Sequence, residues 1–223
     1  MIEALIFDLD GTILDNEGDW EQAFKTVLSK YQILPKFRLG NGWVHEPGIG
    51  LSSNWRRVLT ESGEHSSENE RKLTYETVEE YEKIVGNLEV KLRHGVEEVI
   101  TLAKEKNLLT AISTGSTWNI VEKELEALNL ILAFGVTTTG DEVLRSKPDP
   151  EIYLLTAQKM EIDPRNCLVI EDAVAGVRAA KEVEMKVACL QSDYATTDIL
   201  QSIQTDFILK EFSDLTGIIN NIE

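Results

Sequence analysis

“FDLDGTILDNE”, residues 7–17, follows a short apolar run and places Asp8, Asp10 and Asp15 within eight positions. Carboxylates this close repel one another, and each is costly to take out of water. Asp8 and Asp10 are two apart at a strand end, so their side chains leave the same side of the backbone while Leu9 points the other way. Gly11 then lets the chain turn away. In open α/β sheets ligands bind beyond the carboxyl ends of the strands, so this stretch predicts an α/β fold with a site built around a pair of aspartates. Two simpler readings compete. One is Asp10-Gly11 as ordinary turn chemistry; the other is a calcium loop, for which the later Glu and the flanking helices are missing.

Apolar, strand-like runs recur at “ALIFDL”, “LLTAIST”, “FGVTTT”, “CLVIED”, “KVACL” and “DFILKEF”. Between several of them lie stretches of helical period: over 116–128, Ile120, Val121, Glu124, Leu125 and Leu128 follow the i, i+4, i+8 pattern. Strands alternating with helices imply a mostly parallel sheet covered on both faces. Residues 16–90 break that rhythm, because 19–31, 52–62 and 68–85 predict helices with no strand between them. The last presents Val78, Tyr81 and Val85 on one face. We read 16–90 as a helical insertion, with 1–15 and 91–223 forming the core. Its least regular part is the loop “LGNGWVHEPGIG”, with four glycines and a proline.

The chain of 223 residues is 42% hydrophobic and 27% charged, a composition of globular proteins, and is long enough to bury a substantial core. A net charge of −17 argues against nonspecific binding to nucleic acid or anionic membrane, which reward clustered Lys and Arg. An anionic substrate would therefore require local positive charge at the site. “MIEALIF” offers neither a basic leader nor a long apolar region, and no stretch approaches the roughly 20 apolar residues of a membrane span. A cytoplasmic location is expected. Cys167 and Cys189 sit in apolar runs without a second Cys or His nearby and are expected to be buried thiols. The acidic run “ESGEHSSENERKLTYETVEEYEK” reads as a solvated face of the insertion.

Three more strand ends carry chemistry. “AISTGS” sets Thr114 and Gly115 before a helix, a hydroxyl and backbone N–H groups suited to an anion. “SKPDPEIY” sets Lys147 before a proline-restricted turn, and “VIEDAVAG” sets Glu171 and Asp172 at another strand end. Singly, these are explained as a helix cap, a solvated charge and helix-start acids. Together and in this order, they are not.

With “DLDGT” at 8–12, Thr114, Lys147 in “KPDP” and “EDAVAG” at 171–176, the sequence resembles the haloacid dehalogenase-like hydrolases, in the phosphatase branch with a helical cap after the first motif. The resemblance implies a Rossmann-like three-layer core with a mostly parallel sheet, and a cap at 16–90 that sets substrate specificity. It implies Asp8 as nucleophile, Asp10 as general acid and then base, and Asp10, Gly11, Thr114, Gly115 and Lys147 around the phosphate. Mg²⁺ would be held by Asp8, the backbone carbonyl of Asp10, and Asp172, with Glu171 orienting metal-bound water. Asp15 is read as structural, at the start of the first cap helix.

The expected function is Mg²⁺-dependent hydrolysis of a small phosphorylated metabolite, a sugar or polyol phosphate, by a monomer with no nucleic-acid or membrane partner. A phosphosugar mutase of the β-phosphoglucomutase kind is the alternative, since it shares the “ED” form of the last motif. That enzyme has a cap histidine five residues after the equivalent of Asp15, where this chain has Trp20, and an arginine where “LSSNW” offers serine. A catalytically silent regulatory relative is a further alternative, although such relatives usually lose an aspartate or the lysine. Trp20, Trp43, Trp55, Arg56 and Arg57 are the cap candidates for substrate contact, while Trp55, Val58 and Leu59 equally fit a cap core. “RHGVEE” at 93–98 departs from the family's usual Pro-Gly at the cap exit, which leaves the second hinge open.

Overall fold

A computed structural model describes residues 1–86 and 90–221. Residues 87–89, at the end of the expected insertion, and 222–223, at the end of the expected core, lie outside the described residues. Six parallel strands form one sheet: β1 (Ala4–Phe7), β2 (Leu109–Ser113), β3 (Val136–Thr138), β4 (Cys167–Glu171), β5 (Lys186–Leu190) and β6 (Phe207–Leu209). Their spatial order is β3-β2-β1-β4-β5-β6.

Alternation along the strands covers both faces, as their unbroken apolar runs demand. Leu5, Phe7, Ile112, Leu168 and Ile170 face one cluster with α4 (Val96–Glu105), α5 (Trp118–Ala127) and α9 (Asp214–Asn221). Ala4, Ile6, Ala111, Val169 and Val187 face the other with α6 (Glu151–Met160), α7 (Val174–Glu182) and α8 (Thr197–Ser202). Cys167 and Cys189 are free and buried in this second layer, and burial pushes the Cys167 thiol up to about 12. This is the three-layer α/β core read from the sequence.

After Asp8, the N–H groups of Thr12, Ile13 and Leu14 all donate to Leu9 O, closing a single tight turn. Gly11 adopts φ +76° there, and a Cβ on it would collide with the Asp172 carboxylate. The outgoing chain is then met by the returning one, Asp15 N donating to Lys91 O (3.0 Å) and Arg93 N to Ile13 O (2.9 Å). The second hinge is thus built without Pro-Gly: the Arg93 guanidinium donates to Gly11 O (2.7 Å) and Thr12 O (3.1 Å), and approaches Asp15 (3.3 Å). Asp15 belongs to this crossing and precedes Asn16, the residue that opens the next helix.

Between β1 and α4 run α1 (Glu17–Lys30), α2 (Leu51–Ser62) and α3 (Ser67–Gly86), within two residues of the spans read from periodicity. Phe24, Val27, Val44, Trp55, Val58, Leu59 and Leu73 form their own apolar cluster. A smaller cluster of Trp20, Ala23, Tyr81 and Ile120 joins these helices to α5. Among the described residues, no helix is long and apolar enough to cross a membrane.

Candidate active site

β1 is the centre of the sheet, paired with β2 on one side and β4 on the other. The connections from those neighbours leave a crevice at the carboxyl ends, and the sequence places its carboxylates there. Asp8 follows β1 directly and continues the ladder through its N–H to Ile170 O (2.9 Å). Lys147, only 3% exposed, reaches from the loop before α6 to Asp8 Oδ1 (2.6 Å), Glu171 Oε1 (2.7 Å) and Ser113 O (3.2 Å). Burial works against its charge, but Asp8 and Glu171 outweigh that and hold the ammonium well above its usual pKa.

Glu171 is gripped on both oxygens. Oε1 also accepts from Tyr153 OH (2.6 Å), and Oε2 accepts from the N–H groups of Asp172 and Ala173 (3.0 Å each). Through Oε1 it holds Lys147. Asp172 accepts from Thr12 Oγ1 (3.2 Å) through Oδ1 and from Tyr194 OH (2.5 Å) through Oδ2. Burial, with Glu171 alongside, pushes its pKa up to about 7.

Asp10 is held between the helical segment and the turn after β2. Its Oδ1 accepts from Asn16 Nδ2 (2.7 Å) and Trp20 Nε1 (2.8 Å), and its Oδ2 from Ser116 Oγ (2.6 Å) and Thr114 Oγ1 (3.3 Å). Thr114 Oγ1 also accepts from Ser116 N (3.1 Å), which fixes the turn through Gly115. Asp8, Asp10, Thr114, Gly115 and Lys147 all line one cleft of about 440 Å³ between the sheet and the helical segment. Ser53 of α2 and Ser146 meet across it, their hydroxyls 2.7 Å apart.

The cap candidates divide. Trp20 and Arg56 line the cleft, Arg56 with its guanidinium on Glu70 (2.8 and 3.0 Å). Trp55 does not: it is fully buried against Phe24, and its Nε1 donates to Thr77 Oγ1 (2.9 Å), so the helical stripe it shares with Val58 and Leu59 is core. Arg57 is turned onto Glu46, Val44 O and the Phe37 ring, a clamp on its own loop. Trp43 faces Tyr194 outside this cleft.

Sequence reasoning missed Asn16, Tyr81, Ser116, Glu124, Tyr153 and Tyr194. Ser116 lies two residues after Thr114 in a motif already singled out, so a local signal existed. The others are brought in from helices and loops by tertiary contact. Tyr81 stacks on Trp20 with centroids 3.6 Å apart, while its OH donates to Glu124 Oε1 (2.6 Å) and accepts from Asn16 Nδ2 (2.8 Å).

Glu124 provides a pH test. Burial, then the nearby Asp10, pushes its pKa from 4.5 up to about 8, and its second oxygen has no partner among the described residues. A carboxyl whose folded pKa is raised contributes stability that is full below the unfolded value and lost as pH rises through the folded one. Glu124→Gln keeps the acceptor for Tyr81 and cannot ionise. Its advantage over the parent is expected to grow with pH, reaching roughly 1–3 kcal/mol by about pH 9. Denaturant unfolding across that range checks this; an advantage independent of pH would rule it out.

The family model described as haloacid dehalogenase-like hydrolase matches residues 2–184. The chain belongs to the haloacid dehalogenase-like hydrolases. This hydrolase is 32% identical over 186 residues to the phosphorylated carbohydrates phosphatase of Thermotoga maritima, covering 81% of each chain. It is 27% identical over 219 residues to hexitol phosphatase B of Escherichia coli K12, covering 97% of this chain and 95% of that one. Such relatives place it among the phosphoric monoester hydrolases. In fold it is similar to the β-phosphoglucomutase of Clostridium difficile, with a TM-score of 0.81 at 22% identity over 99% of this chain and 98% of that one.

Haloacid dehalogenase-like hydrolases typically use a divalent metal, and the residues present fit one. Asp8, Glu171 and Asp172 are buried, and each offers an oxygen within 4.8 Å of the others. Lys147 is the only cation bonded to this trio among the described residues, so a hard divalent ion suits the excess negative charge.

Proposed function

We propose that this hydrolase is a Mg²⁺-dependent phosphatase that cleaves a small phosphate monoester, carried on a sugar or polyol, through an aspartyl-phosphate on Asp8. The observation that carries this reading is the buried Asp8–Lys147 pair in a cleft that Asp10 and Thr114 also line. The names of the Thermotoga maritima and Escherichia coli relatives support the carbohydrate class.

Bound Mg²⁺, with Asp8, the Asp10 backbone carbonyl and Asp172 as its holders, would neutralise charge on the phosphate and the attacking carboxylate. Asp8 attacks phosphorus, forming an O–P bond as the ester O–P bond breaks. Asp10 gives its proton to the departing alcohol. It then takes a proton from water, which attacks phosphorus and breaks the Asp8–phosphate bond, returning the carboxylate and releasing inorganic phosphate. Lys147 and Thr114 stabilise the phosphoryl oxygens. Residues 16–90 act as the cap: through Asn16 and Trp20 they orient Asp10, and Arg56 with the serines of α2 faces the alcohol end of the substrate.

The test is phosphate release, with and without Mg²⁺, from sugar, polyol, glycolate and nucleotide monophosphates. Sugar or polyol esters are expected to lead. A strong nucleotide preference would sink the substrate class. Interconversion of β-glucose 1-phosphate and glucose 6-phosphate faster than hydrolysis would point to a mutase, and no turnover at all to a silent relative.

A further inference from the structure

Tyr194 belongs to none of the four sequence motifs, yet its hydroxyl makes the shortest bond to Asp172, 2.5 Å to Oδ2. It sits in the loop after β5, which is closed on itself by Ser192 N to Ala195 O (3.1 Å) and Ala195 N to Ser192 Oγ (3.0 Å). The other bond to the Asp172 carboxylate, from Thr12 Oγ1, is longer at 3.2 Å. Among the described residues, Tyr194 therefore supplies the shorter of the two hydrogen bonds that fix this carboxylate plane.

Tyr194 is half-buried and meets the helical segment on one side. Trp43 packs on its ring, centroids 5.6 Å apart, beside a second cleft of about 360 Å³ bordered by Gly11, Glu17, Arg93 and Asp172. Trp43 is itself held, its carbonyl accepting from Leu39 N (2.8 Å) and its N–H donating to Asn41 Oδ1 (3.0 Å). The same loop touches the Asp172 segment a second time. Gly48 lies so close to Ala173 that a Cβ would overlap the alanine side chain. Residues 39–50 thus meet two neighbours of Asp172, its hydrogen-bond partner Tyr194 and the next residue Ala173.

We propose that Tyr194 is a positioning residue for the metal ligand Asp172, and that Trp43 transmits the seating of the cap loop to it, so that cap seating and metal affinity are coupled. This rests on the metal-dependent reading above. A hydrogen-bonding partner that orients a metal ligand raises affinity by holding it in the binding pose. A link of this kind is reciprocal: whatever seats the loop tightens metal binding, and metal tightens the loop.

Calorimetric titration of the EDTA-treated full chain with Mg²⁺ alone tests it without any substrate. Tyr194→Phe removes one oxygen and leaves the ring for Trp43; its Mg²⁺ affinity is expected to fall about 10- to 100-fold. Trp43→Leu leaves Tyr194 intact and is expected to weaken Mg²⁺ binding about fivefold or more through the coupling. The melting temperature of each variant in EDTA, close to that of the parent, shows that the loss is in the metal site. Affinity for Mg²⁺ within about twofold of the parent in Tyr194→Phe, or tighter, overturns the positioning role, since removing a partner of this kind normally weakens binding about 10-fold or more. If Tyr194→Phe does not fold, Trp43→Leu with parental affinity overturns the coupling on its own. Mg²⁺ binding by the parent with no ester hydrolysed would defeat the phosphatase reading and leave this one standing; no Mg²⁺ binding would defeat both.

Discussion

Asp8→Asn is expected to stay folded and to lose about 10⁴-fold or more of its ester hydrolysis, the scale on which enzymes lose turnover when the attacking group is removed. Asparagine has the shape of aspartate and can still accept from Lys147. It lacks the anionic oxygen that would attack phosphorus. Asp8 shares a buried space with Glu171 and Asp172, so removing its charge also relieves repulsion. Stability should therefore hold or rise while turnover collapses. Rapid-quench assays with an aryl phosphate and a parallel melting curve read the two effects separately. Turnover near that of the parent would remove Asp8 from the chemistry and with it the aspartyl-phosphate.

Lys147→Met is expected to damage both stability and turnover. The ammonium is buried between Asp8 and Glu171, and methionine fills the space without a charge. Breaking a buried pair by removing one partner costs about 3–5 kcal/mol, because the remaining charge is left uncompensated. In EDTA the variant should unfold at lower denaturant than the parent by that amount. Added Mg²⁺ should recover part of the loss, as any ligand of the folded state does. Loss of a cation facing the phosphoryl oxygens should lower kcat by about 10²-fold or more. Stability equal to the parent's in EDTA would show that the lysine is not what reconciles the carboxylates.

The two variants divide the labour at the sheet edge. On the proposed mechanism, loss of Asp8 is expected to be felt in reactivity and tolerated by its neighbours. Lys147 pairs with both Asp8 and Glu171, so its loss is expected to be felt before any substrate is present.

Much of the core was legible because each of its signals is local. A β-strand shows its buried faces as an unbroken apolar run, and a helix its stripe as a period of 3.6, so the six strands and the three helices of the insertion fell close to their observed spans. Two of the motifs were legible as strand ends for the same reason: “DLDGT” and “EDAVAG” each combine a charged side chain with the turn residues that end a strand, whereas “KPDP”, expected at a strand end, lies nine residues past β3 in the loop that opens α6. The insertion was legible as helices but not as a surface. Trp55 and Trp20 are both tryptophans on amphipathic helices, yet one is core and the other donates to Asp10. Which face a helix turns inward depends on the neighbours it packs against, and those are distant in sequence.

By itself, the sequence determined the α/β alternation, the three helices that follow the first strand, and the strand ends that carry Asp8, Asp10, Thr114, Glu171 and Asp172. Backbone conformation and side-chain direction over a few residues suffice for each. Only the tertiary structure decided that Asp10 is held by Asn16 and Trp20, that Tyr153 secures Glu171, and that Tyr194 under Trp43 secures Asp172. Those partners are single hydroxyls, amides and rings with no pattern around them. Their meaning comes from distance alone, and distance exists only once the sheet has set its strand order and the helical segment has closed over its edge.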